Sequence, residues 1–143
     1  MNYKRIGHIA IRTADIDACL DFYCNKLSFK EAFRMFDDSG KLTTIYLHIA
    51  PCQFIEIFTG GTEKHETGSN SIGYCHLCLE VESVAETFKT LSAKGIPIDR
   101  EIRTGLSKCL MFWTHDPDGN SIEIMELTPE SLQMKSLGDC RRS

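Results

Sequence analysis

Hydrophobic and polar positions alternate along the chain in an order that occurs twice. Residues 6–27 and 74–95 each contain a short strand pattern, a polar capping position and an amphipathic helical pattern, and they align without a gap at an offset of 68 residues. Asp15 and Ser83 fall together just before the helical stretches, where an oxygen side chain caps free backbone amides. The pattern therefore predicts two modules built alike.

Three strand-like segments follow each predicted helix. They span residues 28–37, 41–50 and 52–59 in the first half, and 99–104, 108–115 and 120–127 in the second half. The last strands of the two halves align at an offset of 67 residues, and the strong turn Asp116–Gly119 precedes the second of them. The sequence thus predicts an α+β fold made of two tandem β-α-β-β-β modules.

The module boundaries follow from changes in composition. We place the first module at 1–59, a polar, glycine-containing linker at 60–70, the second module at 71–127 and a polar C-terminal tail with one helical turn at 128–143. Neither module, at about 65 residues, buries much apolar surface alone, so we expect the two to pack together in one domain or across a homodimer.

Composition excludes several classes of protein. The chain has 143 residues, 42% hydrophobic and 25% charged, with a net charge of -4, which is the balance of a globular protein. It has no Lys/Arg cluster, long apolar run or secretory signal, so we expect a cytoplasmic protein without nucleic-acid or membrane partners. The seven cysteines are irregularly spaced, which favours reduced thiols, and strand geometry argues against a functional Cys75–Cys78 pair.

Four polar residues interrupt the apolar pattern at matching places. Glu56 and Glu123 each lie between two isoleucines, so the carboxylate faces the other side of the strand, where it needs a charged partner or a metal ion. His8 and His76 lie early in the first strands, 48 and 47 residues before these glutamates. A solvated glutamate or a structural histidine explains one such residue, whereas matching pairs favour a site. Two imidazoles and two carboxylates suit Zn, Ni, Co, Mn or Fe and leave positions open for substrate.

Several segments, in this order, resemble the vicinal oxygen chelate superfamily, specifically its glyoxalase I-like members. The resemblance covers about residues 4–127 and rests on Gly7–Ile11, Asp21–Tyr23, Phe54–Glu56, Asp116–Asn120 and Ile122–Glu123. It implies that the two modules form a cupped mixed sheet around one divalent metal ion, with Zn or Ni first among the candidates, in a homodimer.

The resemblance also implies a reaction. His8, Glu56, His76 and Glu123 would bind the metal ion, and a 2-oxoaldehyde–thiol hemithioacetal, such as that of methylglyoxal and glutathione, would become a 2-hydroxyacyl thioester. Glu123 would be the leading candidate for the base that moves the substrate proton, with Glu56 opposite it. A carboxylate and a Lewis-acidic ion suit proton transfer between adjacent carbons.

Substrate contacts follow the family pattern only in part. Arg12 matches the arginine that holds the γ-glutamyl end of glutathione in bacterial glyoxalase I, whereas Gly60 replaces the asparagine expected four residues after the first glutamate. We expect Arg103 to supply a second contact to an anionic substrate, with Arg100 and Lys108 as further cationic candidates or as solvated strand-edge charges.

Related activities differ in their ligand sets. Superfamily dioxygenases and fosfomycin-resistance transferases typically use two histidines and one glutamate, methylmalonyl-CoA epimerases commonly carry glutamine at the Glu56 position, and bleomycin-resistance binders generally lack the metal set. The four ligands therefore favour the glyoxalase I type. An epimerase, a ring-cleaving dioxygenase or a non-catalytic protein that binds a small molecule or antibiotic remain the alternatives.

The remaining aromatic and histidine residues carry weaker expectations. Trp113 and Phe112 are adjacent in one predicted strand, so one should face the helices and the other the cup. His48, His65 and His115 have no evident match in the other module, and we expect them to be surface residues.

Overall fold

Two compact units make up the chain, Met1–Glu66 and Thr67–Ser143. The computed structural model describes residues 2–64 and 72–137, so His65 and parts of the predicted linker and tail lie outside the described residues. Each unit contains one four-stranded mixed sheet.

The first unit follows the predicted order of elements. These are β1 (His8–Arg12), α1 (Ile16–Leu20), a π-helical segment (Asp21–Lys26), β2 (Lys30–Phe36), β3 (Leu42–Ala50) and β4 (Gln53–Phe58). The strand order across the sheet is β1-β4-β3-β2. β1 runs parallel to β4, and the other neighbours are antiparallel, so the first and last strands of the module lie side by side.

The helix of the first unit changes type along its length. Asp15 caps α1, since its side chain accepts hydrogen bonds from the backbone amides of Asp17 and Ala18. The following turn is wider, because the Leu27 amide donates to the Phe22 carbonyl five residues back. Phe22 and the adjacent Tyr23 are both buried there.

The second unit repeats the order with a regular α-helix. Its elements are β5 (Leu77–Glu80), α2 (Val84–Ala93), β6 (Arg100–Thr104), β7 (Leu110–His115), β8 (Ser121–Glu126) and a short α3 (Leu132–Ser136). The strand order is β5-β8-β7-β6, with β5 parallel to β8. β5 begins one residue after His76, so this histidine flanks the strand, whereas the sequence pattern had placed it inside.

Alternation along the strands decides which side chains form the core. Ile122 and Ile124 of β8 are buried together with Phe112 of β7, whose ring packs edge-on against Phe88 of α2 at 5.3 Å. Trp113 therefore points to the other face of the sheet, as the alternation predicts. Among the described residues, no helix combines the length and the apolar character needed to cross a membrane.

Candidate functional site

Glu56 occupies the centre of one face of the first sheet. It lies in β4 between the fully buried Ile55 and Ile57, which point to the opposite face. Across the ladders, Glu56 is paired with Ala10 of β1 and Tyr46 of β3. The strand therefore separates a carboxylate from the apolar core in the way that its alternating sequence predicts.

His8 and Tyr46 both lie beside Glu56 on this face of the sheet. The His8 Nε2 atom lies 3.3 Å from Glu56 Oε2. The Glu56 carboxylate, which lies across the ladder from Tyr46, raises the pKa of the Tyr46 phenol, and desolvation adds to this shift. The first unit thus joins an imidazole, a carboxylate and a phenol on one face of the sheet.

Glu123 has the matching position in the second unit. It is paired with Cys78 of β5 and Trp113 of β7, and His76 Nε2 lies 3.1 Å from Glu123 Oε2. The Glu56 and Glu123 side chains are 13% and 11% exposed, so both carboxylates are largely withdrawn from water. Each unit therefore builds one histidine–glutamate pair of the same kind.

The surroundings of Glu123 differ from those of Glu56. The Trp113 ring packs edge-on against His76, with 4.7 Å between ring centroids. The Trp113 Nε1 atom is buried and has no hydrogen-bond partner within the described part of the chain. Burial and, second, the negative charge of Glu123 raise the pKa of the Cys78 thiol to about 11.

The histidine–glutamate pairs have the chemistry and spacing of adjacent metal ligands. Imidazole nitrogen and carboxylate oxygen are ligands that Zn, Ni, Co, Mn and Fe accept. Two ligand atoms that bind one ion at about 2.1 Å lie about 3.0–3.4 Å apart at octahedral or tetrahedral angles, and the observed separations are 3.3 and 3.1 Å. Within residues 2–64 and 72–137, no group of three or more His, Cys, Asp or Glu converges, so each unit offers two such ligands.

Arg12 is the last residue of β1 and lies on the face of the first sheet that carries Glu56. Its guanidinium stands over the Phe58 ring at 5.0 Å, and Nη1 donates to the Thr59 carbonyl at 2.9 Å. These contacts hold the exposed side chain against the end of β4. Gly60, which replaces the expected asparagine, follows with a backbone φ of +74°.

Two arginines of β6 occupy different places relative to Glu123. Arg103, the expected substrate contact, is exposed and paired with Met111, which is itself paired with Met125, two residues along β8 from Glu123. Arg100 is paired with Trp113, which is itself paired with Glu123, and its guanidinium lies 5.4 Å from the Trp113 ring. Arg100 is therefore the β6 arginine in the row of the carboxylate.

The expectation that His48 and His115 have no match in the other module is wrong. His48 is paired with Phe54 and His115 with Ser121, and each of these positions lies two residues before the glutamate of its strand. Strand register reveals that His48 and His115 occupy equivalent positions in the two units. The sequence did not show this, because neither histidine lies in a recognisable motif. His48 is exposed and packs on the Phe54 ring at 4.5 Å, whereas His115 is half-exposed and hydrogen-bonded to Asp99 at 2.8 Å.

Sequence reasoning also missed Tyr46. Its position and that of Trp113 are separated by 67 residues, the same offset that relates the two glutamates, so the repeat contained a signal for both. The aromatic residues were not singled out as a pair, because strand aromatics more often fill a core than contact a site.

A family model confirms the resemblance of the sequence. The model for the Glyoxalase/Bleomycin resistance protein/Dioxygenase superfamily matches residues 5–124. The chain belongs to this superfamily. The predicted α+β fold with two β-α-β-β-β modules is confirmed as well, since the two mixed sheets correspond to the fold of solved superfamily members.

Relatives within the superfamily carry a common name. A probable lactoylglutathione lyase, chloroplastic, of Arabidopsis thaliana is 30% identical over 151 residues, which cover 98% of this chain and 42% of that protein. The chain thus spans less than half the length of this relative. A probable lactoylglutathione lyase of Synechocystis is 29% identical over 83% of this chain and 92% of its own length.

Solved structures show the same fold. The glyoxalase family protein of Enterococcus faecalis is 26% identical, has a TM-score of 0.77 and matches over 88% of this chain and 100% of its own. A fosfomycin resistance protein of Listeria monocytogenes, solved with Mn(II), has a TM-score of 0.68 over 94% of this chain and 99% of its own. Its identity of 20% makes it a likeness of fold alone.

Proposed function

We propose that this superfamily member is a metal-dependent lyase or isomerase of the glyoxalase I type. It would convert the hemithioacetal of a 2-oxoaldehyde and a thiol into a 2-hydroxyacyl thioester, with methylglyoxal as the first aldehyde to test. One divalent ion, Zn or Ni before Co, Mn or Fe, would bind to both histidine–glutamate pairs, formed by His8, Glu56, His76 and Glu123.

The observation that carries the proposal is the repetition of the pair. Each sheet places one glutamate on the face opposite its isoleucines and brings one histidine nitrogen within 3.3 Å of it. Withdrawing a carboxylate from water twice at the same register is costly unless a cation compensates it. The names of the curated relatives support the choice of reaction.

Glu123 is the residue to which we assign proton transfer. It would take the proton from the carbon that carries the thiol and return it to the neighbouring carbon, which turns the aldehyde carbon into the thioester carbonyl. A bound divalent ion supplies Lewis acidity that offsets negative charge on two adjacent substrate oxygens. The Glu123 side chain is largely shielded from water, which would favour return of the proton to the substrate over its exchange with solvent.

Cationic side chains would orient the thiol part of the substrate. Arg12 keeps donors beyond its bond to Thr59, and Arg103 offers an exposed guanidinium on β6. Gly60 cannot donate the amide hydrogen bonds of an asparagine, so the thiol need not be glutathione. The protein would form a homodimer in the cytoplasm and would bind a thiol adduct as its small-molecule substrate.

The test is an activity screen of metal-loaded protein. Methylglyoxal is offered with glutathione and several other thiols, and thioester formation is followed by absorbance. We expect turnover with at least one thiol and a loss of about 100-fold or more in Glu123→Gln, since general acid–base catalysis contributes about 10²–10⁴-fold. Glu80→Gln, which neutralises an exposed carboxylate on the neighbouring strand, should retain activity.

Other outcomes contradict the proposal in defined ways. Turnover of a CoA thioester without any of methylglyoxal adducts would identify an epimerase, and oxygen consumption with Fe(II) would identify a dioxygenase. Tight binding of a small aromatic molecule without turnover of any substrate would identify a binding protein.

A further inference from the structure

His115 lies on the same face of the second sheet as Glu123. Trp113, two residues earlier in β7, is paired with Glu123, and side chains two residues apart in a strand share a face. His115 itself is paired with Ser121, two residues before Glu123 in β8. The histidine and the glutamate are therefore diagonal neighbours across the ladder, a relation that separates two residues by about 7–8 Å.

Asp99 fixes the protonation of the His115 ring. Its two carboxylate oxygens lie 2.8 and 2.9 Å from His115 Nδ1. An ionised carboxylate only accepts hydrogen bonds, so the proton of the neutral imidazole is held at Nδ1 and the lone pair is at Nε2. Within the described part of the chain, Nε2 makes no hydrogen bond of its own. The half-exposed ring thus offers one acceptor on the face that carries Glu123.

An ordinary surface ion pair would explain an isolated contact of this kind, but the repeat argues for a role on this face. His48 takes the equivalent place in the first unit, diagonal to Glu56. It packs on the Phe54 ring at 4.5 Å, and none of the described contacts joins it to a carboxylate. The two units share a histidine position, whereas a fixed acceptor is found only beside Glu123, the residue proposed to move the substrate proton.

We propose that His115 is a substrate contact that accepts a hydrogen bond from the thiol part of the substrate, with Asp99 as the positioning residue that holds the ring in its acceptor form. The inference rests on the proposed function, because it takes Glu123 to act on the carbon that carries the thiol. The methylglyoxal part has no donor besides its reacting hydroxyl, so the donor is an amide N–H or a hydroxyl of the thiol part. The negative charge of Asp99 disfavours a carboxylate at this place.

Two thiols that differ in a single N–H test this contact. N-acetylcysteamine carries an amide N–H two carbons beyond its sulfur, and 2-mercaptoethyl acetate has an ester oxygen in its place. Turnover of both methylglyoxal adducts is measured with metal-loaded wild-type protein and with His115→Phe, which keeps a ring and removes the acceptor. We expect wild-type kcat/KM to be about tenfold higher for the amide, because the ester leaves Nε2 without a donor. His115→Phe should bring the two values together.

His48→Phe is the matched control for this substitution. It makes the same exchange at the equivalent position of the first unit, where no carboxylate contact fixes the ring among the described residues, and it should leave the preference for the amide unchanged. Asp99→Ala should reduce the preference although His115 is retained. Nitrogen NMR of the histidine rings in metal-free protein at pH 8 reports the tautomer directly, and we expect the proton at Nδ1 of His115 in the wild type and its partial transfer to Nε2 in Asp99→Ala.

The outcomes separate this inference from the proposed function. A wild-type enzyme without preference for the amide, a preference that survives His115→Phe or falls equally in His48→Phe, or a wild-type His115 protonated at Nε2 would overturn the inference and leave the proposed function standing. Rejection of both probe adducts by an enzyme that turns over another thiol adduct would do the same. Wild-type protein that turns over no methylglyoxal adduct of any thiol would overturn both.

Discussion

Cys78 shows how burial and a neighbouring carboxylate together change the pKa of a thiol. It is paired with Glu123 across the β5–β8 ladder, and although the residue belongs to the exposed positions of β5, surrounding protein withdraws water from the thiol. Burial and the glutamate charge both disfavour the thiolate, and the pKa of Cys78 rises to about 11. Since the thiolate is the reactive form, Cys78 should react slowly for a cysteine at an exposed position of a strand.

The reactivity of Cys78 is directly measurable. With a pKa of about 11, about one thiol in a thousand is ionised at pH 8, so iodoacetamide should label Cys78 much more slowly than Cys52, which is exposed in the turn after β3. Glu123→Gln should accelerate labelling of Cys78, because it removes the charge that opposes ionisation. Peptide mass spectrometry over time gives both labelling rates. Equal rates for Cys78 and Cys52 would contradict the raised pKa of Cys78.

The four candidate ligands could be predicted because they occupy matching positions in the repeat. Each of these residues taken alone would have had an ordinary structural explanation. The structure brings His8 to Glu56 and His76 to Glu123, and the binding of all four to one metal ion stays a prediction. The position of Tyr46 across from Glu56 was not predicted, because cross-strand register depends on hairpin turns and bulges that the hydrophobic pattern does not specify. β2 and β3, for example, shift register twice.

At the scale of elements, the two helices differ more than their sequences do. α2 runs regularly over Val84–Ala93, whereas α1 gives way after Leu20 to a π-helical turn. Their apolar periods align at one offset, so the sequence predicted one kind of helix. The burial of two adjacent rings in the first unit favours the wider turn, and this demand arises from tertiary packing rather than from local propensity.

The start of α2 combines a local cap with one from a distant strand. Ser83 Oγ accepts from the Glu86 amide at 3.3 Å, and the Glu126 carboxylate of β8 accepts from the Val84 amide at 2.8 Å. Both bonds satisfy amides that a helix leaves free, and the carboxylate also interacts favourably with the helix dipole. The helix is thereby tied to the strand that carries Glu123.

Replacing the local cap should destabilise the protein measurably. Ser83→Ala should lower the free energy of unfolding by about 1 kcal/mol, because the Glu86 amide loses its acceptor. Ser92→Ala, the same change at an exposed position within the helix, should be neutral or slightly stabilising. Urea denaturation of both variants gives the comparison, provided that the dependence of the unfolding free energy on urea concentration is unchanged. An equal effect of the two substitutions would contradict the capping role.

At the scale of the whole molecule, the chain repeats a unit that carries half of the proposed ligand set. Each β-α-β-β-β unit brings its first and last strands side by side, and this pairing joins a histidine at or just before one strand to a glutamate in the other. The parallel pair explains why residues 48 or 47 positions apart meet. Superfamily membership and the relatives' names then turn two ligand pairs into a hypothesis about one metal ion.

Calorimetric titration of metal-free protein with Zn(II) or Ni(II) tests this claim most directly. We predict one ion per chain, with affinity reduced at least about tenfold in Glu56→Ala and in Glu123→Ala, while Glu80→Ala retains wild-type affinity. Loss of binding in both glutamate variants would mean that the two units contribute to one site. The absence of stoichiometric binding, or binding that survives removal of either glutamate unchanged, would contradict the account.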